Sequence, residues 1–259
     1  KTFRSHADQL SLLKERGLSI GDVVGAEKIL ESINYYRFTG YALPFMIDRE
    51  HFRPNATFED VLAICRYDAK LRDLLFEALE AIELDFRARF AYSFSRMFGA
   101  LGCRKPVNFR DEDAHAVTLA KIDGTLVGLY NNLRVDGAKE ISKSYGIKWN
   151  ILGSYLQHLS VLRNFCAHHS RLYDRKFYKF RPLNEWRTTH PGLSDTGAFF
   201  YQAVLCHRLS VCVKSTCFDR DSWRQRICQA FASAPRILCF DLPGLMGIPT
   251  DPARSSLWV

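Results

Sequence analysis

LGSYLQHLSVLRNFCAHHSRLYDR, residues 152–175, decides how the chain is read. At about 100° per residue, Leu152, Tyr155, Leu156, Leu159, Leu162, Cys166 and Tyr173 gather on one side, the mark of a helix with one face in a core. Arg163 projects into the middle of that apolar stripe. Gln157, Ser160, Asn164, His168, Arg171 and Arg175 form a separate polar seam, in which Asn164 and His168 stack at i,i+4. A guanidinium buried without a partner is costly, so Arg163 requires a carboxylate, a water-filled cleft or a second copy of the chain beside it. Each of these places it beside a site; the plainer reading is that Arg163 ion-pairs with an acidic residue of another helix and that His168 and His169 are structural histidines.

The helical period recurs on both sides of this stretch. Ala7 to Arg16 reads as a helix stopped by Gly17, and Asp22 caps a run to about Ile33. Thr57 and Asp60 have capping-box spacing ahead of a periodic stretch that ends at Phe98 before Gly99, one very long helix or two joined. Residues 99–114 read as a polar loop. Further helices are predicted at 115–133, 138–145, 149–176, 196–216 and 219–232, with a loop at 181–195. From Pro235 onward, prolines and glycines predict an irregular tail packed along the bundle. Strand alternation is scarce. The class is therefore all-α: an N-terminal helical extension over 1–55, a helical bundle over 56–233 and the tail over 234–259. Packing the 58–98 helix against the 149–176 helix makes Glu80 and Glu83 candidates to face Arg163.

A chain of 259 residues with 47% hydrophobic content is able to bury a sizeable core. No run approaches the roughly 18 apolar residues of a membrane span. The most apolar segment, Ala198 to Val213, is broken by His207 and Arg208. With no signal peptide visible either, a cytoplasmic location is expected. The eight cysteines show no CxxC pair and no zinc-ligand spacing with the histidines, and read as reduced thiols. Cys206, Cys212 and Cys217 with His207 suit one apolar helix better than a metal site, so neither metal nor cofactor is expected. Phosphate-binding GxxxxGK, GxGxxG, GxSxG and HExxH motifs are missing, which argues against nucleotide-driven and serine-hydrolase chemistry.

A net charge of +8 draws the chain to polyanions, of which nucleic acid is the foremost candidate. Arg171, Arg175, Lys176, Lys179, Arg181 and Arg187 interleave with Tyr173, Phe177, Tyr178, Phe180 and Trp186. Such cations neutralise phosphates while aromatic faces stack on unpaired bases, as in single-stranded RNA binding. His169, Arg171, Tyr173, Arg175, Lys176, Tyr178 and Lys179 are the candidate RNA contacts. The competing reading is a solvated helix end with aromatics in the core.

Leu162 to Arg175, LRNFCAHHSRLYDR, resembles the signature of the abortive-infection Abi D/F family of bacterial phage-defence proteins, which belongs to the HEPN superfamily. Leu13 to Phe45, with RGLSI and ILESINYYRFTGYALPF, is similar to the family's N-terminal region. Tyr67 to Arg87, YDAKLRDLLFEALEAIELDFR, is similar to its first long helix. GLYNNL at 128–133 and LMGIPTDPARSSLW at 245–258 look like further landmarks, whereas 110–127, RDEDAHAVTLAKIDGTLV, departs from the family pattern.

The resemblance implies a HEPN-like helical bundle and metal-independent RNA cleavage. In that chemistry the RNA's own 2′-hydroxyl attacks the adjacent phosphate. His168 is then the general acid or base, Arg163 the electrostatic stabiliser, Asn164 an orienting residue, and Glu83, in IELDFR, the partner of Arg163. Such ribonucleases combine two motifs in one site, and this chain has a single Arg-x4-His, which implies a homodimer. His169 is an alternative at one residue's greater spacing. Two other readings follow from the family: a catalytically inactive HEPN module that binds RNA or a protein, and a toxin-like component restrained by an antitoxin, protein or RNA.

Overall fold

A computed structural model describes residues 3–113, 115, 125–189, 196–214 and 217–258. Its axis is α4, Phe58–Phe98, a single helix of 41 residues, about 60 Å long at 1.5 Å per residue. The Thr57 side chain caps it by accepting the Asp60 N–H at 3.0 Å. Gly99, at φ 79°, ends it in backbone that side chains disfavour. Buried positions in the first half of α4 face several directions. Beyond Ile82 only the i,i+4 line Ile82, Phe86, Phe90 and Phe94 is buried, so the far half has one packed face.

Three helices precede α4: α1 (His6–Glu15), α2 (Val23–Ser32) and α3 (Tyr35–Ala42). After it come α5 (Thr125–Asn132), α6 (Val135–Lys143), α7 (Trp149–Ala167), α8 (Asn184–Thr189), α9 (Phe199–Leu209), α10 (Arg220–Ala232) and α11 (Leu242–Leu245). Helices α3, α6, α7, α9 and α10 all pack on α4. One hydrophobic cluster runs from Leu10 to Trp258, through the N-terminal helices, the bundle and the tail. Among the described residues there is no strand, and the fold is an all-α bundle.

Several boundaries differ from the sequence expectation. Asn34 starts α3, a helix the periodicity did not announce, by accepting the Tyr36 N–H at 2.9 Å. Helix α6 begins at Val135, earlier than 138. Helix α9 ends at Leu209 in a 3-10 turn, Ser210–Cys212, rather than at 216. The short α8 lies inside the expected 181–195 loop, of which residues 190–195 fall outside the described residues. Most of the divergent segment 110–127 also falls outside them, as do residues 116–124 of the expected 115–133 helix.

The landmark stretches have visible structural work. In GLYNNL, the Tyr130 hydroxyl donates to the Ala138 and Trp149 carbonyls at 3.3 and 3.2 Å. The Asn132 amide both accepts from and donates to the Asp111 backbone at 2.9 and 2.6 Å. Gly153 lets α7 approach this stretch closely, since a Cβ there would collide with the neighbouring Asn131 side chain. In the tail, Met246, Ile248, Leu257 and Trp258 are buried, and the Trp258 indole N–H donates to the Pro252 carbonyl at 2.6 Å. No helix among the described residues is long and apolar enough to cross a membrane.

The tail also seals His207. This residue is buried beneath Trp258, ring centroids 5.3 Å apart, and neither ring nitrogen hydrogen-bonds to a described residue. Burial, reinforced by Arg220 and Arg224, lowers its pKa from the ordinary 6.5 to about 4. The folded chain thus keeps His207 neutral while the unfolded chain protonates it first as pH falls. This contribution is intact above pH 6.5 and is lost progressively between 6.5 and about 4, to a total of about 3 kcal/mol. Urea unfolding at pH 7 and pH 4.5 is expected to show this loss, and His207→Leu to flatten it. An unchanged pH dependence in His207→Leu would assign the acid sensitivity to other groups.

Candidate active site at the end of helix α7

The expected 149–176 helix stops at Ala167, and the reason lies in the residues that follow. His168 is the C-cap, and His169 adopts left-handed backbone at φ 52°. The His169 N–H donates to the Cys166 carbonyl at 3.0 Å and the Ser170 N–H to the Phe165 carbonyl at 2.9 Å, a Schellman motif that closes the helix. A left-handed conformation costs a residue other than glycine roughly 1–2 kcal/mol, so the turn needs outside support.

That support comes from α3 and α4. The Arg37 guanidinium donates to the His169 carbonyl at 2.6 Å, and Arg72 donates to the Ser170 carbonyl at 3.2 Å. The fully buried Asp68 carboxylate then takes the next two backbone donors on Oδ1, Leu172 at 3.0 Å and Tyr173 at 2.7 Å. Its Oδ2 accepts from the Tyr41 hydroxyl at 2.7 Å and from Arg72 at 2.5 Å. Burial, then the adjacent Asp68 charge, raises the Tyr41 pKa well above its ordinary value, so the hydroxyl remains a donor. The amides that would have continued α7 are therefore committed to a side chain of α4.

Two corrections concern the catalytic candidates. Arg163 is not in the core: its side chain is 42% exposed, with Nε 3.7 Å from Glu83 Oε2 and one terminal nitrogen donating to Asn164 Oδ1 at 3.3 Å. Glu83 does face it, and is shared with Arg87; Glu80 is exposed. Asn164, His168 and His169 are exposed, and the His168 ring bonds to no described residue. Five residues turn a helix through about 140°, so Arg163 leaves α7 towards α4 while His168 leaves its open end on another side. The chain brings Arg163, Glu83 and Asn164 together, while His168, whose N–H donates to the Asn164 carbonyl at 2.9 Å, caps the helix on a different side from Arg163.

The candidate RNA contacts divide. Tyr173 is buried, its ring against Tyr41 at 6.0 Å and its hydroxyl donating to the Tyr41 carbonyl at 2.9 Å, so it is a core residue and not a contact. Phe177, Phe180 and Trp186 are buried too. Arg171 donates to the Gly40 carbonyl at 2.5 Å and lies over the Tyr173 ring, tying this segment to α3. Arg175 stacks on Phe165, its carbon 4.3 Å from the ring centroid. Lys176 and Lys179 are exposed, and Tyr178 is 84% exposed.

Asp68, Arg72, Tyr41 and Arg37 were not read as site residues. The signal for two of them was present: YDAKLR sets Asp68 and Arg72 at i,i+4 on an otherwise apolar face of α4. Among the described residues no group of His, Cys, Asp or Glu is arranged to hold a metal ion, and none of the eight cysteines is in a disulfide. Three of these are buried, four half-buried and Cys217 is exposed.

The fold and this site define an all-α protein whose basic, histidine-bearing segment is pinned to its central helix. The model of the Abi-like protein family matches residues 28–123 and 116–174, and the chain belongs to that family. The match takes in α3, the Asp68–Arg72 pair, Arg163 and His168. No curated protein and no solved structure matches the chain.

Proposed function

We propose that the chain is a metal-independent endoribonuclease of a bacterial phage-defence or toxin–antitoxin system, of the D/F type within the HEPN superfamily, and that it acts in the cytoplasm as a homodimer. The observation that carries this reading is the placement of Arg163 and His168. Both reach solvent within the last turns and cap of α7, ahead of the exposed Lys176 and Lys179. The 2′-hydroxyl oxygen of a bound RNA attacks phosphorus, the bond to the 5′-oxygen breaks, and a 2′,3′-cyclic phosphate and a 5′-hydroxyl result. His168 removes the 2′-hydroxyl proton or delivers one to the leaving oxygen. Arg163 supplies charge to the crowded phosphate, Asn164 and Glu83 orienting its guanidinium.

Arg163 and His168 of one chain leave α7 in different directions, which favours a site completed by a second copy. The far half of α4 offers a surface for it: Leu84 and Tyr92, two turns apart on one side of the helix, are 61% and 73% exposed. The test is sedimentation together with RNA cleavage in EDTA. Leu84→Glu with Tyr92→Glu is expected to give a folded monomer that still binds RNA but does not cut it, whereas a wild-type monomer that cuts RNA would contradict the composite site. The second reading, a catalytically inactive module that binds RNA or a protein such as an antitoxin, is favoured by the Glu83 carboxylate, which offsets the Arg163 charge.

A further inference from the structure

Beside α7, on the side away from Arg163, lies a groove of about 410 Å³ formed with residues 175–180. That volume falls in the roughly 300–1,000 Å³ range of small-ligand sites. Phe165 and Phe177 are part of its apolar lining, and Lys176 and the exposed Tyr178 belong to the facing segment. On the α7 side stand Gln157, exposed, and His158, half-buried. The Gln202 amide donates to the Thr196 and Ala198 carbonyls at 3.0 and 3.1 Å, which turns its Oε1 towards His158 Nε2. His158 therefore donates from Nε2 and presents Nδ1 as an acceptor, to which no described residue bonds. Burial lowers the proton affinity of the ring, which keeps it neutral.

We infer that this groove is a nucleobase subsite that selects a base carrying an exocyclic amino group, held between the Tyr178 ring and the His158 acceptor. The inference rests on the RNA reading above and adds to it a pocket and a base preference. Charge complementarity favours RNA as the occupant: Arg175, stacked on Phe165, and Lys176 border the groove in a chain of net charge +8. An amino group such as cytosine N4 donates to Nδ1, where the uracil O4 meets it with an unfavourable acceptor. Gln157 precedes His168 by eleven residues, which places them about 20° apart around the helix. A strand seated in the groove thus runs along α7 towards His168.

The test uses fluorescent 2′-O-methyl ten-mers of cytidine and of uridine, which resist cleavage, at low salt in EDTA. Wild-type protein is expected to bind the cytidine oligomer about 5- to 10-fold more tightly, and His158→Leu to remove the difference. Tyr178→Ala and Lys176→Ala, both at exposed positions that leave the fold intact, are expected to weaken both oligomers, Tyr178→Ala by about tenfold or more. Equal wild-type affinities, or full affinity in Tyr178→Ala, would overturn the subsite and leave the RNA reading standing. Wild-type protein that binds neither oligomer would overturn both.

Discussion

Asp68→Ala is expected to destabilise the protein by about 3–5 kcal/mol, the range for removing one partner of a buried ion pair, and to lower its melting temperature by roughly 10 °C. The carboxylate receives the Leu172 and Tyr173 amides, the Tyr41 hydroxyl and the Arg72 guanidinium, all in a buried setting. Truncation strands these donors at once, and the Arg72 charge dominates the penalty. Replacing both members, Asp68→Leu with Arg72→Met, removes the stranded charge and is expected to recover part of the loss. Thermal or urea unfolding decides it. A single variant within about 1 kcal/mol of wild type would mean that the segment after α7 is held by its apolar contacts instead. The same substitution frees the turn that carries His168 and His169, so RNA cleavage is expected to fall even below the melting transition.

The second large effect is on chemistry. His168→Ala is expected to slow RNA cleavage by about 10²–10⁴, the usual worth of a general acid or base, and Arg163→Ala by about 10²–10³. Since both act on one transition state, the double variant is expected to lose little more than the worse single one. Neither side chain is in the core, so both variants should unfold like wild type. A paired loss of cleavage and stability would assign these residues to architecture.

The fold was largely legible because its signals are periodic. The Thr57 cap, the apolar period to Phe98 and Gly99 defined α4, and the Asp219-capped α10 matched the 219–232 run. What failed was the end of α7. The period of 152–175 continues through Tyr173 in the sequence, but the amides of Leu172 and Tyr173 are captured by Asp68, a residue more than a hundred positions away that no local pattern reports. The same non-local effect turned Tyr173 into the core and left Tyr178 exposed.

A charge in an apolar stripe requires a partner, and the strongest instance in this chain is Asp68–Arg72 on α4 rather than Arg163. On α7 the stripe faces α4, and Arg163 sits at the edge of that contact, where a long side chain reaches both Glu83 and solvent. Pairing Arg163 with Glu83 was readable once α4 and α7 were taken to pack. The separation of Arg163 from His168 was not, because it depends on where the helix ends.

The most direct test of the central claim is to incubate the purified protein with RNA in EDTA and identify the fragment ends, with Arg163→Ala and His168→Ala alongside. Cleavage that leaves 2′,3′-cyclic phosphate and 5′-hydroxyl ends, and that both substitutions abolish, is the expected result. Cleavage that persists in both variants, or no cleavage by a wild-type dimer that binds RNA, would contradict it.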